Sequence, residues 1–274
     1  MTTAYNPPKP KKVAKGHILN CLPSPKQGDD WTFATAEAAG VRSLAAIPAA
    51  VDLRDNAWWK INDQGHTGSC VGWATADSLM RYHFVKALKL PGNTLLSVRF
   101  VWMSAKETDE FTSAPSTFIE SDGTSLKAAL DVARKYGCLM DIDLPFGSAT
   151  LFQDTETVCY AKAARFKIQS YFNLQPGNTV QNWKNWIANH GPILVRLDVD
   201  KTWDDATTTN GKLDAYATGT GRGGHAVAIV GYTADNRFII RNSWGTNWGD
   251  GGFAYASVPY AIAAFTESYG ISMF

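Results

Sequence analysis

The sequence predicts an α+β fold of two subdomains, on three observations. Helical periodicity dominates the first half, from Ser69 to about Gly137. Strand-like apolar runs dominate the second half, from Ile193 to Ser257. No internal repeat relates the halves, and helices followed by strands argue for segregated elements rather than an alternating parallel sheet. A chain of 274 residues suffices for one large domain or two modest ones that share a cleft.

In chain order, residues 1–48 read as an irregular extension. "NPPKPKK" and "LPSPKQGDD" are rich in breakers, and "ATAEAAGVRSLAAIPAA" offers one short helix. Lys9, Lys11, Lys12 and Lys15, set among Pro7, Pro8 and Pro10, read as a solvated, extended tail. The main domain, 49–274, is expected to open near "AVDLRD", with a mainly helical part at about 50–165 and a mainly stranded part at about 166–265.

The first helix starts near Ser69. Gly72, Ala76, Leu79, Met80, His83, Phe84, Ala87 and Leu88 recur at three- and four-residue spacing until "PGN" at 91–93. A second helix is expected over "SVRFVWMSAKE". A third lies in "DGTSLKAALDVARKYG", capped by Thr124 or Ser125 and closed by Gly137. A fourth spans "NTVQNWKNWIANHG", with Val180, Trp183 and Ile187 inward and Gly191 as its stop. Strands are then expected at 193–199, 225–232, 237–243 and 251–257.

Composition excludes several function classes. A net charge of +1 gives no field for nucleic acid or an anionic membrane surface. No apolar run approaches the ~18 residues of a membrane span. No secretory signal is visible at the start, so the expected location is cytoplasmic or reached by non-classical export. Four cysteines are too few for a disulfide scaffold, and neither CxxC nor HExxH occurs, so no metal or cofactor is expected. Cys138 and Cys159 read equally well as a disulfide or as two buried thiols.

The chemistry-bearing stretch is "NDQGHTGSCVGWATADSLM". Cys70 sits where turn residues give way to helix, so first-turn N–H groups and the positive end of the helix dipole face its sulfur. That setting favours thiolate, although free cysteine is also among the most buried residue types. His225 follows two glycines and opens an apolar strand, and Asn242 ends the next strand. A hairpin would set these two side by side. Taken singly, the histidine could be a core residue and the asparagine a turn residue.

Four blocks in this order, "VDLRD", "DQGHTGSCVGWA", "DGTSLKAALDVARKYG" and "GGHAVAIVGY…IIRNSWGTNWGDGGF", resemble the papain family of cysteine peptidases. The resemblance covers most of residues 50–260. His225 and Asn242 lie 155 and 172 residues after Cys70, slightly beyond the roughly 130–150 of that family.

The resemblance implies a papain-like fold: a helical left subdomain, an antiparallel β-barrel-like right subdomain, and an active-site cleft between them. It implies Cys70 as nucleophile, His225 as base then acid, and Asn242 as the group that orients His225. It implies Gln64 as oxyanion donor with the backbone N–H of Cys70. Trp244 would cover the His225–Asn242 bond, and Trp248 would pack near the oxyanion site. Gly123, with Asp122 before it, would let an extended substrate backbone approach the cleft wall.

Three departures from the family pattern stand out. Thr67 replaces the usual cysteine three residues before the nucleophile, so the family's common disulfide is absent there. Val71 replaces the aromatic that usually follows the nucleophile. Gly224 replaces the Asp or Asn that often precedes the histidine.

The expected activity is endopeptidase action on a peptide or protein substrate. A transamidase using the same thiolate and a silent peptide-binding pseudo-enzyme are the alternatives. The 25 residues from Asp200 to Gly224 read as a long polar loop that shapes substrate access. The "ILNCLPSPKQGDDWTF" region is expected to lie on the body and cross the cleft, which would bring Cys21 toward Cys70 and make the chain autoinhibited by its own N-terminal segment.

Overall fold

A computed structural model of the chain describes residues 11–12, 16–41, 46–108, 119–148 and 155–274. Lys9, Lys15 and the prolines near them lie outside the described residues. Lys11 and Lys12, expected in a solvated tail, instead pair antiparallel with Ile18–Leu19.

The helical half is built on one long helix with three parts: Cys70–Gly72, a π-helical stretch Trp73–Met80, and Arg81–Lys86. Every residue of the π-helical stretch is buried, including Thr75, Asp77 and Ser78. π-Turns are frequent at functional sites, and this one follows directly on Cys70–Gly72. Gly72 lets the helix approach its neighbour, since a Cβ there would lie 2.9 Å from the Val98 carbonyl oxygen and from the Trp102 Cβ. That neighbour is the helix Val98–Thr108. The helix Leu126–Lys135 packs beside both, and Ser125 caps it by accepting from the Ala128 N–H.

The other half is an eight-stranded sheet. Its strand path runs Ser170–Asn173, Phe265–Ser272, Ile193–Val199, Gly223–Tyr232, Arg237–Arg241, Phe253–Ser257 and Lys212–Leu213, with Val51–Asp52 also paired to Gly223–Tyr232. All pairs are antiparallel except the last on the path, between Phe253–Ser257 and Lys212–Leu213. The helix Thr179–Asn189 covers one face, burying Trp183 and Ile187 as expected and Trp186 as well. Val180 is only partly buried.

The strand Phe265–Ser272, second from one end of the path, carries no strand signal in the sequence. Its buried residues include Glu267 and Ser268, so it lacks an apolar alternation. The loop 200–224 also differs from the expected polar rim. It contains a 3₁₀ turn at Lys201–Trp203, the strand Lys212–Leu213, and Trp203 buried at 1% exposure.

One apolar cluster fills the helical half and a second fills the sheet. Leu194, Ala226, Tyr269 and Ile271 of the sheet belong to the helical cluster, so the halves share a packed seam. A buried ion triad crosses that seam. Asp77 of the π-helical stretch takes Arg81 at 2.8 Å and Arg241 at 2.7 Å, and Arg241 also donates to Ser78 Oγ at 2.7 Å. The strand that ends at Asn242 is thereby tied to the helix that begins at Cys70.

Candidate active site

Cys70 opens its helix with no side-chain cap beneath it. Ser69 occupies the cap position, but its hydroxyl bonds the Thr67 hydroxyl at 2.6 Å rather than the first-turn N–H groups. The first-turn N–H groups are therefore left without a side-chain cap from Ser69. Thr67, standing in the place of a cysteine, also donates to the Gln64 carbonyl at 2.8 Å. A hydroxyl network thus braces this turn without a disulfide.

His225 lies on Gly223–Tyr232, opposite Leu197, and Asn242 directly follows Arg237–Arg241. Those two strands pair antiparallel, with a register shift between Ile229 and Gly231. The pairing carries Asn242 back to His225, where Asn242 Oδ1 accepts from His225 Nε2 at 2.8 Å. His225 Nδ1 is buried without a nitrogen or oxygen partner, which leaves that face of the ring to the Cys70 thiol. His225 and Cys70 are both fully buried.

The Cys70 thiol is held well below its ordinary range. A hydrogen bond from the Cys21 thiol contributes most, burial opposes it, and the His225 ring and the Ala226 N–H add to the lowering. The Cys21 thiol moves the opposite way, pushed up by burial and then by its contact with Cys70.

Gln64 belongs to the helical half but is fixed to the sheet half. Its N–H donates to the Ser243 carbonyl at 2.8 Å, and its Oε1 accepts from Ser243 Oγ at 2.9 Å. Holding Oε1 in this way points Nε2 at the cleft, where it donates to the Thr67 carbonyl at 3.0 Å and the Ile18 carbonyl at 3.4 Å.

Trp244 lies against His225, with ring centres 4.9 Å apart. Trp248 is one layer further back, against Trp244 and Trp203, and its Nε1 donates to the Trp203 carbonyl at 3.2 Å. Trp203 itself meets His225 edge-on at 5.6 Å. A lone tryptophan inside a polar run was the signal for it. Asp122 gives its carbonyl to Trp102 Nε1 at 3.0 Å, back in the helical half.

Residues 16–30 fill the groove between the halves. His17 stacks on Trp244 at 4.8 Å, with ring planes 2° apart. Ile18 presents its carbonyl to Gln64. A Cβ on Gly123 would lie 1.7 Å from the Asn20 carbonyl oxygen, and one on Gly224 would lie 2.2 Å from that of Cys21. Both glycines therefore admit backbone where a side chain would exclude it. The Cys21 N–H donates to the Gly224 carbonyl at 3.0 Å, and the Leu22 N–H donates to the Thr124 carbonyl at 3.0 Å.

Sheet side chains that sequence reasoning missed hold the segment down. Arg196 Nε donates to the Cys21 carbonyl at 3.2 Å, and Glu267 Oε1 accepts from the Ser24 N–H at 2.7 Å. Asp30 pairs with Lys127 and accepts from Tyr269 at 2.9 Å. Arg196 interrupts the apolar run "ILVRLDV" and marks an inward charge there.

Cys138 and Cys159 are separate free thiols. Among the described residues, no group of three or more His, Cys, Asp or Glu side chains could hold a metal ion, and no helix is long and apolar enough to cross a membrane.

A family model described as papain family cysteine protease matches residues 47–265. The chain is similar to a cysteine protease of Blomia tropicalis, 24% identical over 238 residues, covering 83% of this chain and 67% of the relative. It is similar to a cathepsin L-like proteinase of Fasciola hepatica, 25% identical over 214 residues, covering 76% of this chain and 60% of that one. It therefore spans two thirds or less of the length of these relatives. Among solved structures it resembles xylellain, a cysteine protease from Xylella fastidiosa, at 21% identity and a TM-score of 0.75, over 96% of this chain and 98% of that one. It also resembles digestive procathepsin L 3 of the Tenebrio molitor larval midgut, at 18% identity and a TM-score of 0.61, over 96% of this chain and 76% of that one.

Proposed function

The chain belongs to the papain family of cysteine proteases, and on that footing we propose that it hydrolyses peptide bonds through Cys70, His225, Asn242 and Gln64. The observation that carries this reading is the buried line from Asn242 Oδ1 to His225 Nε2, with the Cys70 thiol on the far side of the same ring.

Hydrolysis follows from those positions. His225 takes the Cys70 thiol proton on Nδ1, and the Cys70 sulfur attacks the scissile carbonyl carbon. The oxygen, now negative, is met by Gln64 Nε2 and the Cys70 backbone N–H. His225 delivers a proton from Nδ1 to the departing amine, leaving a thioester on Cys70. His225 then takes a proton from water, which attacks the thioester and frees the acid. Asn242 keeps the ring aimed through both steps, and Trp244 keeps water off their bond. Gly123 and Asp122 on one wall and Gly224 on the other line the path of an extended substrate. Trp248 supports this site through Trp244.

Residues 49–274 form the peptidase domain in this reading, and the segment before it inhibits. The Ile18 carbonyl occupies the Gln64 amide, and Asn20 and Cys21 lie where substrate backbone would pass.

An electrophilic thiol probe tests the nucleophile. Labelling should map to Cys70 and vanish in Cys70→Ala; labelling that persists in that variant contradicts the reading. The masses of peptide products separate transfer to water from transfer to an amine. A chain truncated to start near Ile47 should cleave peptides faster than the full chain, and equal rates with an intact fold would remove the inhibitory role.

A further inference from the structure

Of the four thiols, two share one position in the fold. Cys21 and Cys70 are 3% and 0% exposed and belong to one packed cluster, with the Cys21 thiol donating to the Leu22 carbonyl at 3.8 Å and acting on the titration of the Cys70 thiol. The contact is set by backbone rather than by a flexible side chain. Cys21 is fixed on both sides, by its N–H on Gly224 and by Arg196 on its carbonyl, and Gly224 immediately precedes His225. Nothing in peptide hydrolysis uses a second thiol.

We propose that Cys21 and Cys70 form a reversible disulfide under peroxide, which locks the N-terminal segment across the cleft and shields the nucleophile. This rests on the proposed cleft-covering role of residues 16–30.

The chemistry balances in two steps. The Cys70 thiolate attacks hydrogen peroxide, the O–O bond breaks, and Cys70 sulfenic acid and hydroxide result. The Cys21 thiol then attacks the Cys70 sulfur, an S–S bond forms, the S–O bond breaks, and water leaves with the Cys21 proton. A dithiol reverses it by exchange, becoming a cyclic disulfide while both protein thiols return. Hydrogen peroxide is little larger than water, so a brief lifting of the segment admits it.

The electrostatics suit that order of events. Cys70 is the thiol held toward thiolate and Cys21 the one held neutral, which matches an attacking and a resolving cysteine. Cys138, buried and pushed up, and Cys159, also pushed up, serve as internal controls.

The test uses the reduced full chain. It is treated with hydrogen peroxide, denatured, alkylated, digested and mapped by mass spectrometry. The expected product is the Cys21 peptide joined to the Cys70 peptide with the loss of two hydrogens, while Cys138 and Cys159 are alkylated. Probe labelling of Cys70 should fall with the cross-link and return in full after dithiothreitol. In Cys21→Ser or Cys21→Ala, Cys70 should instead gain two oxygens, and labelling should not return.

Cys21 still alkylatable while Cys70 is oxidised, neither thiol changing, or recovery equal in the wild type and the Cys21 variants would overturn the proposal. The failure of its premise reads differently. If truncation near Ile47 does not speed labelling of the reduced protein, the inhibitory role falls, and the cross-link is still judged by its own mass. If truncation activates but Cys21 stays free, only the disulfide falls.

Discussion

Gly224→Ala should open the cleft. A Cβ at this position would stand 2.2 Å from the Cys21 carbonyl oxygen, which is backbone and cannot swing aside, and 2.7 Å from Arg196 Nη2, which can. The segment must therefore move off. It then loses the Cys21 N–H bond to Gly224 and the Arg196 bond to the Cys21 carbonyl. A neutral hydrogen bond contributes about 0.5–1.5 kcal/mol and one to a charged group about 1.5–3 kcal/mol. The loss is thus about 2–4.5 kcal/mol, which raises the open fraction about 30-fold at the low end and about two-thousandfold at the high end. The assay is the rate at which a small alkylating agent modifies Cys70 in the reduced full chain, because such a reagent needs access but no substrate subsite. Circular dichroism confirms the fold. An unchanged rate in a folded Gly224→Ala chain would refute the claim that residues 16–30 limit access to Cys70.

Gln64→Ala should lower kcat by about 10²–10³-fold with the fold intact, the loss of about 2.7–4 kcal/mol seen when one oxyanion donor is removed; in a truncated, active chain, a kcat within twofold of the parent would contradict the assignment. Arg241→Met leaves Asp77 buried with one cation instead of two, and breaking a buried pair costs about 3–5 kcal/mol. At about 2–4 °C per kcal/mol for chains of this size, thermal melting should show a fall of roughly 6–20 °C, and no fall would deny the triad its role across the seam. His17 gives the segment a pH response. Burial holds its imidazole below the usual 6.5, against the Gly65 carbonyl and Asp63, while His225 and His66 push it down further. The docked segment therefore favours neutral His17. This contribution is whole above pH 6.5, shrinks as pH falls through it, and makes acid loosen the segment. Glu267, its carboxyl pushed up by burial, works in the opposite sense. His17→Phe keeps the stack on Trp244 and isolates the histidine part: the ratio of wild-type to variant labelling rates should rise from about pH 7.5 to about pH 5.5, and a constant ratio would contradict it.

The parts of this molecule legible in the sequence are those fixed by short range. The helix opening at Cys70, the Ser125 cap, and the two strands that return Asn242 to His225 each follow from a local pattern. What escaped depends on distant partners. Trp203 looked like loop because its neighbours are polar, yet it is packed by His225, Trp244 and Trp248. Phe265–Ser272 showed no strand signal because Glu267 and Ser268 face the Ser24 N–H and the Trp183 indole rather than apolar neighbours. The π-helical turn behind Cys70 places Asp77 against Arg241, a residue 164 positions away. The expectation that the N-terminal segment crosses the cleft comes from the family resemblance rather than from any local pattern in it. Its register, with Asn20 on Gly123 and Cys21 on Gly224, is set by where two glycines leave room on opposite walls.

Peptide cleavage measured side by side in three reduced proteins is the most direct test of the account: the full chain, the chain starting near Ile47, and that shorter chain carrying Cys70→Ala. Hydrolysis in heavy-oxygen water should be fast in the shortened chain, slow in the full chain, and absent in the variant, with one heavy oxygen in each new carboxylate. Cleavage that survives Cys70→Ala, or new amide products without heavy oxygen, would contradict it.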